Sequence, residues 1–191
     1  MLELLDIEQN YFQGELPVDV LKNLNFAINK PKSVGIIGPS GSGKTSLLNI
    51  VGLIEKPKFG SYFFKNSNCL DFSNTEKTEF RKKNIGYIFQ NNQLLEDFNV
   101  QENVALPLIL NGESYKNSCK KALNFLKLFG LENRMSFKPG LLSGGEQQRV
   151  AVARAMIKSP SILLSDEPTG RLDYNNAELI FNYIIELSKK N

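Results

Sequence analysis

Eight consecutive residues, Gly38-Pro39-Ser40-Gly41-Ser42-Gly43-Lys44-Thr45, constrain this chain more than any others. They fit the spacing G-x-x-x-x-G-K-[ST], which carries meaning only between a strand and a helix. Both flanks read that way. Val34 to Ile37 is a short apolar run, expected to be a buried strand, and Thr45 to Leu53 reads as a helix ended near Lys56-Pro57. In that context the glycines let backbone N–H groups curl around phosphate oxygens and Lys44 supplies a point charge. Thr45 then offers a hydroxyl to Mg²⁺. A glycine-rich turn with an incidental lysine would not need these flanks.

Further strands are expected on the same logic. Leu24, Phe26 and Ile28 alternate with Asn25, Ala27 and Asn29, the pattern of a half-buried strand. Asn84 to Phe89 and Ser161 to Ser165 read as two buried strands. Strands alternating with helices predict an α/β chain with a parallel sheet. The stretch Asn91 to Gly140 differs. Cys119, Ala122, Leu123 and Leu126 make one apolar helix face, and Gly130 marks its end. A helical subdomain over about residues 91–140 is therefore expected between two strands.

At 191 residues the chain is sized for one domain over positions 1–191. Its 41% hydrophobic and 23% charged content reads as a globular chain rather than a disordered one. A formal net charge of +3, with both signs interspersed, gives no footprint for nucleic acid. Cys69 and Cys119 lack metal-ligand spacing and read as apolar residues in a reducing compartment. The first residues lack the basic start of a secretory signal. The longest apolar stretch, Val104 to Leu110, is interrupted by Pro107 and too short to span a bilayer. A membrane role would thus be borrowed from a partner. The chain has no histidine, which excludes histidine chemistry within these residues.

A second motif, Leu142-Ser143-Gly144-Gly145-Glu146-Gln147-Gln148-Arg149, lies about a hundred residues later. Ser143 and Glu146 have capping-box spacing, so a helix should begin at Gly144. Val150, Ala153 and Ile157 continue it at helical spacing until Ser159-Pro160. Gly144 and Gly145 leave its positive end open to an anion, so Ser143 is read either as a helix cap or as part of an anion site. A third motif, Ser161 to Pro168, is an apolar strand ending in two acids. Asp166 suits Mg²⁺, directly or through its ligands, and Glu167 could polarise an attacking water. The alternative is a pair of solvated carboxylates, which the phosphate loop argues against. Gln90, at the end of its strand, could reach the metal or the water, or face solvent. Tyr11-Phe12 could stack on an adenine ring or belong to the core.

GPSGSGKT, Gln90, LSGGEQQRVAVARA and ILLSDEPTG, in this order, resemble the nucleotide-binding subunits of ATP-binding cassette (ABC) transporters. The resemblance covers the whole chain. DVLKNLNF, LLEDFNVQENVALPL and DEPTG are similar to the branch holding macrolide exporters, the division-associated cassette and lipoprotein-releasing (Lol-type) ATPases, the last most of all. It implies a P-loop NTPase fold with an N-terminal antiparallel β subdomain and an inserted α-helical subdomain. It also implies ATP and Mg²⁺ as ligands and a homodimer. The partners would be integral-membrane permease subunits of the LolC/LolE kind, at the cytoplasmic face of a bacterial inner membrane.

The resemblance assigns roles. Tyr11 would stack on adenine. Gly38, Pro39, Ser40, Gly41, Ser42, Gly43, Lys44, Thr45 and Ser46 would hold the phosphates. Thr45, Gln90 and Asp166 would serve the metal, and Glu167 would be the catalytic base, with Lys44 and Gln90 assisting. Ser143, Gly144 and Gly145 would contact the γ-phosphate of ATP held by the other protomer. Asp173 would lie in a loop crossing the dimer interface, where Arg171 departs from the usual asparagine.

One departure concerns the C-terminus. Leu179, Ile180, Tyr183, Ile184 and Leu187 form an apolar stripe, and a crossover helix there should feed another strand. That strand, which ends at a switch histidine in the family, is missing from the sequence. Either this is a shortened version of a longer chain or it is a compromised one. The expectation for the chain as given is that it binds Mg-ATP but hydrolyses it about 10²-fold less well. Other readings are a soluble ABC protein of translation or repair, a macrolide-export or division-type ATPase, and a nucleotide-gated module with little hydrolysis.

Overall fold

The computed structural model describes residues 1–169 and, beyond them, Tyr174, Ala177, Glu178, Phe181, Asn182 and Ile185. The C-terminal stripe, Arg171 and Asp173 lie outside the described residues. The chain forms two compact units, Met1–Glu79 and Phe80–Asn191.

The first unit is built on an antiparallel sheet. Strands β1 (Leu2–Gln13) and β2 (Leu16–Ile28) form a hairpin, and β3 (Phe59–Phe64) and β4 (Ser67–Asn68) complete the order β2-β1-β3-β4. The alternation read in Leu24 to Ile28 holds: Leu24, Phe26 and Ile28 are half-buried while their neighbours are exposed. Helix α1 (Lys44–Val51) buries Leu47, Ile50 and Val51. This unit therefore supplies the N-terminal antiparallel sheet.

Val34 to Ile37 is a correction. No strand forms there, and Ile37 is 98% exposed. Apolar character alone does not make a strand. The run has no ladder partner within the first unit, where all four strands pair among themselves.

In the second unit β5 (Ile85–Ile88) and β6 (Ile162–Ser165) pair in parallel, with Ile85 opposite Ile162. The Asp166 N–H donates to the Ile88 carbonyl at 3.0 Å and extends the pairing by one bond. Between them in sequence lie α3 (Val100–Leu110), α4 (Tyr115–Leu128) and α5 (Gly144–Met156). Helix α2 (Asn74–Asn84) precedes β5, and the division between units falls inside it. Ile88, Val104, Leu108, Ala122, Leu126, Val150 and Ala153 belong to one apolar core. Pro107 is accommodated in the last turn of α3. Among the described residues no helix is long and apolar enough to cross a membrane.

Helix α5 starts where the capping box places it. Ser143 Oγ accepts from the Glu146 N–H at 3.3 Å, and Glu146 Oε2 accepts from the Ser143 N–H at 2.9 Å. Glu146 Oε1 also accepts from Arg134 Nε at 2.9 Å. Arg134 first, then the Ser143 N–H, holds the Glu146 carboxyl below the usual carboxylate range.

One side of α5 packs flush against β5. A Cβ placed on Gly86 would fall on the Ala155 carbonyl oxygen and lie 2.8 Å from Pro160 Cγ. Neither atom can rotate away. Gly86→Ala should therefore cost about 1–3 kcal/mol by overpacking, seen as a lower urea midpoint at an unchanged slope. An unchanged midpoint would mean the contact is loose.

A second prediction concerns acid. Because Glu146 has a lowered folded pKa, its stabilisation is complete above the unfolded carboxylate value of about 4.3. It is lost as pH falls through the folded value. Urea titrations from about pH 7 to pH 3 should show a shallower loss of stability in Glu146→Gln than in the parent. Parallel curves would contradict the assignment.

Candidate functional site

The glycine-rich turn delivers the start of α1 without a side-chain cap. Gly43 has φ 90°, and a Cβ there would lie 2.7 Å from Val20 Cγ1 and 2.9 Å from the Val20 carbonyl oxygen. Only glycine fits both the backbone angle and the space. Lys44 Nζ donates to the carbonyls of Gly38 at 2.9 Å and Pro39 at 2.8 Å. Those bonds hold the ammonium over its own loop and leave one of its three donors for an anion. With Thr45 following, the donor set suits a polyphosphate at the helix start.

Tyr11, 39% exposed on β1, is fixed by its hydroxyl. The phenol donates to Glu55 Oε1 at 2.7 Å and lies 2.9 Å from Ser46 Oγ on α1. Desolvation, opposed by Ser46 and reinforced by Glu55, raises its pKa. The ring is thus neither core nor mobile. It is a partly exposed aromatic surface tied to the helix that follows the glycine turn, which suits stacking on a flat ligand.

The second unit brings together Gln90, Asp166 and Glu167. Gln90 leaves the end of β5, and its Nε2 donates to Glu167 Oε2 at 2.8 Å. Gln90 is therefore engaged with Glu167 rather than simply facing water. Asp166 is buried at 8% exposure. Desolvation first, then the Asp166 carboxylate, pushes the neighbouring Tyr87 phenol up to about 12. Glu167 has φ 47°, although a residue before proline is ordinarily extended. A left-handed non-glycine residue costs roughly 1–2 kcal/mol, and such strain gathers where a side chain must be aimed.

The Ser143–Gly145 end of α5 reconciles the two readings of that motif. Ser143 Oγ is an acceptor in the cap, which leaves its own O–H to donate to an anion. A Cβ on Gly144 would meet nothing within 4 Å, so this helix end is open. Among the described residues no three His, Cys, Asp or Glu side chains gather to hold a metal. A divalent ion would rely on hydroxyl, single carboxylate and phosphate oxygens, which is the habit of Mg²⁺.

Several contributing residues escaped the sequence reading. Arg154 Nη2 donates to the Asn92 carbonyl at 2.6 Å and Nη1 to the Gln93 carbonyl at 2.7 Å. Burial lowers its pKa to about 10. Lys158 Nζ bonds the Arg81 and Lys82 carbonyls at the end of α2, and burial lowers its pKa to about 8. The buried Asn103 Nδ2 reaches the carbonyls of Leu95, Phe98 and Asn99, while its Oδ1 accepts from the Leu95 N–H. The Arg154 and Asn103 bonds brace the segment that follows Gln90. Nothing in local spacing signals them, because the acceptors are mostly backbone carbonyls brought close by folding.

Comparison with known proteins identifies the family. The family model described as ABC transporter matches residues 21–170. The chain is 42% identical over 188 residues to the lipoprotein-releasing system ATP-binding protein LolD of Buchnera aphidicola subsp. Acyrthosiphon pisum, covering 98% of this chain and 82% of that protein. It is 44% identical over 184 residues to LolD of Pseudoalteromonas translucida, covering 96% and 79%. Among solved structures it superposes with TM-score 0.93, at 39% identity, on the ATP-binding cassette MJ0796 in a dimeric post-hydrolysis state bound to ADP and Pi. That match covers 100% of this chain and 84% of the other. The chain belongs to the ABC transporter family.

Proposed function

We propose that this protein is the ATP-hydrolysing subunit of a transporter that releases lipoproteins from a bacterial inner membrane. It sits peripherally on the cytoplasmic face and drives LolC/LolE-like permease subunits. The observation that carries the chemistry is the Gln90–Glu167 pair, a carboxylate aimed from a strained backbone and touched by a polar sensor. The kinship with proteins named LolD supports the cargo.

Each residue then has a task. Gly38 to Ser46 cradle the phosphates through the backbone N–H groups of every residue but Pro39, which has none, with Lys44 neutralising the outer oxygens. Tyr11 stacks on the adenine. Glu167 accepts a proton from the attacking water, and Gln90 orients that carboxylate and water. Asp166, Thr45 and Gln90 are the groups suited to Mg²⁺, which when bound offsets charge on the phosphoryl oxygens. Ser143, Gly144 and Gly145 donate to the γ-phosphate held by a second copy, making the working unit a homodimer.

Two substitutions separate binding from chemistry. Glu167→Gln should lower ATP turnover by at least ~10²-fold while equilibrium binding of a fluorescent ATP analogue is kept. Lys44→Ala should lose the binding itself. Turnover that survives Glu167→Gln at the parent rate would reject Glu167 as the base. Cargo is read separately, by co-purification of a membrane permease with the full chain and ATP-dependent lipoprotein release from proteoliposomes.

A further inference from the structure

Three turns along α5 from the capped end, Arg154 presents two donors of its planar fork to two successive carbonyls, Asn92 and Gln93. Both residues are left-handed, at φ 56° and 46°. An asparagine in that conformation usually satisfies its side chain locally, yet Asn92 Oδ1 is buried without a hydrogen-bond partner. The turn is thus not held by its own side chain. The Asn92 N–H donates to the Phe89 carbonyl at 3.1 Å, so the turn closes directly around Gln90. Gln90 in turn reaches Glu167.

We propose that Arg154 is a positioning residue for hydrolysis: its guanidinium holds the Asn92–Gln93 turn and so sets Gln90 within hydrogen-bonding distance of Glu167. The same helix begins at Ser143, so one rigid element carries both the open helix end and the brace on Gln90. A lysine at 154 has a point charge in place of the fork and can satisfy the two carbonyls only in part. This inference rests on the ATPase reading above.

The test uses the full chain with Arg154→Met and Arg154→Lys, each alone and combined with Gln90→Ala. Arg154→Met should lower kcat by roughly ten- to a hundredfold, as misplacement of a reacting group does, with ATP-analogue affinity within about threefold of the parent. Arg154→Lys should recover part of that loss. In the Gln90→Ala background Arg154→Met should add little, because the two act as a unit. A loss carried by KM alone, or one that adds in full to Gln90→Ala, overturns the proposal.

Hydrogen exchange of the amides at 91–94, in nucleotide-free protein, gives a reading independent of turnover. Exchange should quicken at least tenfold in Arg154→Lys while α3 and α5 amides keep their protection. Unchanged exchange at 91–94 overturns the proposal even if Arg154→Met fails to fold. A parent chain with no turnover would sink the ATPase reading and leave this exchange result to decide the brace.

Discussion

Strand β5 can lie against α5 only because residue 86 has no side chain. With the Ala155 carbonyl oxygen where a Cβ would stand, the helix backbone and the strand backbone touch. Much of the second unit follows from that contact. β5 ends at Ile88, two residues before Gln90, and α5 begins at the Ser143 cap, so the approach fixes two segments of the proposed site against each other. Pro160, packed on the same glycine, sets the exit toward β6 and hence toward Asp166 and Glu167. A close-packed interior transmits such a constraint because it has no slack to absorb a displacement.

The second recurring device is a cation bound to backbone carbonyls. Lys44 binds those of its own loop, Arg154 those of the turn after Gln90, and Lys158 those closing α2. Carbonyl dipoles stabilise an ammonium or guanidinium without neutralising its charge. Arg134 is the contrasting case. Its partner is the Glu146 carboxylate, and its task is to hold the cap of α5.

The readable parts of this protein were those set by local chemistry. Ser143 and Glu146 stand three residues apart, so their reciprocal bonds are written in the spacing. The alternation at Leu24 to Ile28 and the parallel strands at β5 and β6 were legible for the same reason. The P-loop glycines carry a backbone requirement that no other residue meets at Gly43. Val34 to Ile37 failed because a strand needs a partner, which apolarity does not supply. Gly86, Asn103 and Arg154 were illegible for a different reason. Each acts on backbone atoms that only the fold brings near, and a carbonyl has no sequence signature. The Tyr11 hydroxyl network was hidden likewise, since Ser46 and Glu55 are distant in the chain.

The central claim is that the open end of α5 completes the nucleotide site of a second copy. Sedimentation equilibrium of the Glu167→Gln protein, with and without ATP, tests it most directly. The account predicts a monomer without nucleotide, a dimer with saturating ATP, and loss of that dimer when Ser143→Arg blocks the helix end while ATP binding persists. A chain that stays monomeric at saturating ATP, or a dimer indifferent to Ser143→Arg, would contradict it.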